Sequence, residues 1–203
     1  MGYTHYWYRE AEIDPKIHAA IVRDFRTLLA PMEGFGVRLG DGHGEDRPIL
    51  EGEKVCFNGL HRCGHPQNTD ISIPWPTVTA GGIAGHREAE EGATVTGTWF
   101  AGALIDKRTC NGSCDYETFI FDRVITPPDY QPKRAGGLSF DYCKTAFRPY
   151  DLAVTAFLII AKHHLGECLK VSSDGEQQHW FDAQMLCKMN LGYGLDFKLP
   201  KER

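Results

Sequence analysis

No stretch of this chain stays apolar for long. The longest run, Leu152 to Ala161, is interrupted by Thr155 and is too short to span a bilayer, so no membrane passage is expected. A basic excess is also missing. The 22 Lys and Arg against 27 Asp and Glu leave a net charge of -5, which argues against a general nucleic-acid binder. The opening MGYTHYWYRE lacks the apolar centre of a signal peptide, so the expected compartment is the cytoplasm. There is no low-complexity tail, phosphate-binding P-loop, dinucleotide fingerprint, nucleophile elbow or H-E-x-x-H run. These absences remove the reaction classes that are easiest to read from a sequence.

What is present suits a globular protein. At 203 residues, with 42% hydrophobic and 24% charged residues, the chain can bury one substantial core. We read residues 1–203 as a single α+β domain, a mostly antiparallel sheet packed by two or three helices. Tyr3 to Arg9 is aromatic-rich and predicts a strand, with Tyr3, His5, Trp7 and Arg9 on one face. Asp14-Pro15 starts a helix expected to run to about Ala30, where Pro31 ends it. Further strands are expected at Val37 to Leu39, Lys54 to Asn58 and Asp70 to Ile73. A long hairpin of Thr94 to Ile105 with Tyr116 to Ile125 follows, then Leu138 to Cys143 and Cys168 to Ser172. Arg87 to Glu91 suits a helical turn. A second helix, at about residues 149–165, is apolar nearly all round and should be buried. Ser173 or Asp174 is expected to cap a last helix with Trp180, Phe181, Met185 and Met189 on its apolar side.

Four places carry chemistry. Lys144 and Arg148 precede the start of the buried helix, whose free N–H groups and positive end attract anions. An anionic small molecule or a nucleotide is therefore one candidate ligand; the structural alternative is that Arg148 pairs with Asp151. His61, Cys63 and His65 lie in HRCGH, and Cys110 and Cys114 in CNGSC. Zinc takes four nitrogen or sulfur ligands, so these five make a structural zinc a candidate, although neither spacing is the common C-x-x-C knuckle. The other reading is a polar loop and a turn that happen to carry thiols. An odd count of seven cysteines without a secretion signal favours reduced thiols over disulfides. His163 and His164 end the buried helix, where its dipole favours them; His163 would need Asp174 or Glu117 to act as a base. Finally, His5 and Trp7 with Tyr3 could line a stacking wall for a base or sugar, or simply be core.

Two parts of the chain resemble an uncharacterised family of bacteriophage and bacterial proteins. The opening Met1-Gly2-Tyr3-Thr4-His5-Tyr6-Trp7 is similar to its N-terminal signature. Its C-terminal block resembles Cys143-Lys144-Thr145, Arg148-Pro149-Tyr150-Asp151, Ala161-Lys162-His163-His164 and Ser172-Ser173-Asp174-Gly175, and Tyr116-Glu117-Thr118-Phe119 also fits. The resemblance implies a phage or prophage context, hence the host cytoplasm, and brings no reaction with it. It points to Lys144, Arg148, Asp151, Glu117 and the N-terminal aromatics. Three function classes follow: an accessory protein binding an anionic ligand, an enzyme acting on a nucleotide or nucleic-acid component with His163 or His5 as base, and a protein-interaction or virion component.

Overall fold

Strand β1 (Thr4–Arg9) alternates as its sequence demands. His5, Trp7 and Arg9 are buried, while Tyr6 and Tyr8 are only half-buried on the other face. This computed structural model describes residues 3–71, 97–100, 103–106, 108–125 and 138–200. The helix after β1 begins at Pro15 as expected, and Asp14 caps it by accepting the Lys16 and Ile17 N–H groups. It does not end at Pro31. α1 (Pro15–Thr27) gives way at Leu28 to a short α2 (Leu29–Gly34), and Pro31 falls in the first turn of α2, where no N–H donor is needed.

Next come β2 (Leu39–Gly40), β3 (Ile49–Glu51) and β4 (Lys54–Gly59). β3 and β4 form a tight hairpin around Gly52, whose φ of +61° suits glycine. The expected long hairpin is replaced by shorter pairings. β5 (Thr69–Ile71) pairs with β8 (Arg108–Cys110), while β6 (Gly97–Phe100) pairs with β7 (Ala103–Asp106). Tyr116 to Ile125 supplies only β9 (Phe119–Ile120), which joins β4 rather than the 94–105 stretch. Within that stretch Gly97–Phe100 thus pairs with Ala103–Asp106, and the 106–115 segment read as a turn contains β8. The helical turn expected at 87–91 lies outside the described residues.

The frame of the domain is the sheet β10-β1-β11, with β10 (Ser139–Lys144) and β11 (Leu169–Ser173) both antiparallel to β1. Against it packs α3 (Asp151–Leu165), whose residues from Asp151 to Ala161 are all buried, as its apolar circumference requires. Phe157 is its hub: its ring lies 5.1 Å from Phe25 of α1 and 5.1 Å from Phe119 of β9. Full burial of each such ring contributes about 1.5–3 kcal/mol. The last helix departs from expectation. A 3-10 turn at Gln177–Trp180, capped by Glu176 and His179, precedes α4 (Phe181–Leu191). α4 buries Ala183, Gln184, Leu186 and Cys187 and leaves Met189 exposed. The result is an α+β fold, and no helix among the described residues is long and apolar enough to cross a membrane.

Candidate metal centre and its buried neighbour

Two loops meet beside the β5–β8 pair. Cys63 and His65 come from the loop after β4; Cys110 ends β8, and Cys114 lies four residues on. Their ligand atoms all lie within 4.8 Å of one another. The Cys63 and Cys110 sulfurs are 3.5 Å apart, and His65 Nδ1 is 3.2 Å from the Cys114 sulfur. Tetrahedral zinc, with Zn–S near 2.3 Å and Zn–N near 2.0 Å, sets adjacent ligand atoms about 3.5–3.8 Å apart. The cluster could therefore hold a metal ion, and three sulfurs with one imidazole nitrogen are a donor set compatible with zinc.

Local backbone explains the convergence. Gly64, between Cys63 and His65, has φ +80°, and Gly112, two residues after Cys110, has φ +94°; both lie where side chains are disfavoured. Thr69 pairs with Cys110 and Ile71 with Arg108, which fixes β8 against the first loop's return. Asn58 holds the second loop at its far side, receiving the Tyr116 N–H at 3.0 Å and donating to the Tyr116 carbonyl at 3.0 Å. Arg38 donates to the Cys63 carbonyl at 2.6 Å. Gly59 is the crossing point: a Cβ there would lie 2.0 Å from the Cys114 carbonyl oxygen. Gly59→Ala is therefore expected to push the Cys114 loop outward and cost at least tenfold in metal affinity, measured by competition with a chromophoric chelator; unchanged affinity would contradict this account of the crossing.

The three thiols are buried, at 3% exposure for Cys63, 0% for Cys110 and 2% for Cys114. Burial disfavours a thiolate at each. At Cys63 the His65 backbone N–H and the neighbouring thiols outweigh burial and lower the pKa; at Cys110 and Cys114 burial, reinforced by the Cys63 contact, leaves it raised. A bound divalent cation favours the thiolate form of each ligand cysteine. His61, the fifth expected ligand, points elsewhere: its Nδ1 is 3.0 Å from Asp115 Oδ2 at the surface.

β8 carries a second consequence. Cys110 and Arg108 are two apart on one strand, so they share a face, and Arg108 is driven inward with the cysteine. Its guanidinium donates to Asp151 Oδ2 at 2.9 Å, to Asp182 Oδ2 at 2.9 Å and to the His179 carbonyl at 3.2 Å. Asp151 Oδ1 in turn lies 2.7 Å from His5 Nε2 and accepts from the Thr145 hydroxyl at 2.6 Å. Burial works to raise the Asp151 pKa, but Arg108 and His5 outweigh it and lower it to about 2. At Arg108 burial is likewise outweighed, by Asp151 and Asp182, and the pKa is raised. The segments singled out for their family resemblance around residues 3–7, 143–151 and 172–175 meet at this cluster.

The other expected site residues take separate places. Asp151 pairs with Arg108, not with Arg148, and its carboxylate occupies the first turn of α3. Arg148 reaches the Ser113 carbonyl at 3.4 Å and has no carboxylate partner among the described residues. The Lys144 ammonium sits 5.6 Å from the centre of the Tyr116 ring, while Glu117 accepts the Lys144 N–H at 2.8 Å. Trp7 is core, tilted 5.2 Å from Phe119. His163 stacks on Tyr193 at 3.7 Å; its neighbour His164, not His163, meets a carboxylate, that of Asp24 at 2.8 Å. The sequence reading missed Arg108, Thr145, Ser173 and Asp182. Arg108 had one usable signal, its two-residue offset from a candidate metal ligand. No protein-family model, curated protein or solved structure matches this chain.

Proposed function

We propose that this protein is a zinc-dependent accessory module: Cys63, His65, Cys110 and Cys114 hold one zinc ion, and the ion locks the strand that delivers Arg108 to the buried carboxylates. The observation that carries the reading is the convergence of three thiols and one imidazole within 4.8 Å from two loops that are 45 or more residues apart in sequence. With all four positions taken by protein, such a centre is structural and not hydrolytic, because catalytic zinc keeps a position for water. The resemblance to phage and bacterial proteins supports an accessory role. Anion binding at the start of α3 is the less favoured reading, since the Asp151 carboxylate already sits at the positive end of that helix.

Metal analysis of protein purified without chelators tests it. The expected result is one zinc per chain, lost together with the cobalt–thiolate charge-transfer band when any of the four ligands is replaced. Purified, folded protein that contains no metal and takes up neither zinc nor cobalt would overturn it.

A further inference from the structure

We propose that Ser173, His5 and Asp151 form a nucleophile relay that accepts an uncharged carboxylic ester. β1 and β11 place His5 directly opposite Ser173. His5 Nδ1 is 3.0 Å from Ser173 Oγ, and His5 Nε2 is 2.7 Å from Asp151 Oδ1. Asp151 faces the Arg108 guanidinium and the Thr145 hydroxyl, both donors, so it stands as a carboxylate. Nε2 therefore carries the imidazole proton and donates it to Asp151, which leaves the Nδ1 lone pair for the Ser173 hydroxyl. The Thr4 carbonyl, at 3.5 Å, is the weaker competitor for that proton. Ser173 Oγ also accepts the Gly175 N–H at 2.9 Å, which favours negative charge on the oxygen.

Packing and burial point the same way. Edge-on rings of Tyr3 at 5.1 Å and Trp180 at 5.0 Å hold the imidazole in place. His5 and Asp151 are fully buried, whereas Ser173 is only half-buried, so the hydroxyl is the member of the relay that solvent reaches.

In the step, Ser173 Oγ attacks the ester carbonyl carbon while its proton passes to His5 Nδ1. The imidazolium then protonates the leaving alkoxide oxygen as the C–O bond breaks, and the acyl group stays on Oγ. Water attacks the acyl carbon, its proton returns through His5, and the carboxylic acid leaves; the net change is ester plus water to acid plus alcohol. The exposed Asp174 carboxylate, held by Tyr6 and the Thr4 N–H at 3.1 Å each, adjoins Ser173 and repels phosphate esters. The Tyr3 and Phe147 rings, 4.8 Å apart, offer an apolar wall for the acyl chain.

Treatment of the folded protein with a neutral fluorophosphonate, followed by peptide mass spectrometry, tests the relay. An adduct on Ser173 is expected, with hydrolysis of p-nitrophenyl butyrate falling at least about 100-fold in Ser173→Ala. Thermal melting and zinc content of Ser173→Ala, both expected to stay near wild type, separate loss of the nucleophile from loss of the fold and leave the zinc reading to its own assay. No adduct at Ser173, or ester turnover equal in wild type and Ser173→Ala, overturns the proposal. Turnover of p-nitrophenyl phosphate in preference to the ester overturns the substrate class.

Discussion

Cys110→Ser is expected to lower the melting temperature by more than about 10 °C, and chelation of the wild type to do the same. The magnitude follows from comparing two energies. Structural zinc in small sites contributes about 10–16 kcal/mol of apparent binding free energy, whereas the net stability of a domain is only about 5–15 kcal/mol. For a chain of this length, 1 kcal/mol moves the midpoint about 2–4 °C, so even a third of the zinc contribution shifts it by 10 °C or so. Without metal, three buried thiols and an imidazole are left against one another, and the close crossing at Gly59 keeps only its backbone hydrogen bonds and those of Asn58 and Arg38. Calorimetry at fixed zinc activity measures the shift. Cys168→Ser is the control, since that thiol is exposed and outside the cluster. Equal midpoints for the two serine variants would remove zinc from the account of stability.

Arg108→Met is the second large effect, and it tests the link between the metal centre and the sheet. Methionine keeps much of the side-chain volume but removes the guanidinium that Asp151 and Asp182, both buried, share. Breaking a buried ion pair by removing one partner costs about 3–5 kcal/mol, because the remaining charge is uncompensated. The expected loss is of that size in urea unfolding, with zinc stoichiometry unchanged. Replacing both carboxylates by asparagine in the same chain should restore part of it, since the buried negative charges go with them. A loss below about 1 kcal/mol would mean that the carboxylates find other partners. The neighbouring turn adds to the dependence: Ala146 and Phe147 both have positive φ, at 49° and 54°, and Arg108 lies 5.3 Å from the centre of the Phe147 ring. Such residues cost about 1–3 kcal/mol each and persist only where the surroundings hold them.

Strong local signals carried over from sequence to structure, and pairings did not. The run from Leu152 to Ala161 reads as a buried helix because it is apolar on every side, and it is one. The Pro15 start of α1 follows from Asp14 and proline together. The partners of β9 and β8 depended on contacts between distant segments, and nothing in the letters from Tyr116 to Ile125 says that β4 is their neighbour. The four members of the candidate metal centre were among the five residues legible from residue type alone. The choice between His61 and His65 was not, since each stands two residues from Cys63; the positive φ of Gly64 and the pull of Asp115 decide it. Arg108 was hidden for a related reason. A surface basic pair and a buried cation look alike until the strand's inward face is known.

X-ray absorption at the zinc edge of the metal-loaded protein tests the central claim most directly. A shell of three sulfurs near 2.3 Å and one nitrogen near 2.0 Å is the predicted result. A shell of oxygen and nitrogen alone, or one in which His65→Ala leaves the nitrogen scattering unchanged, would contradict it.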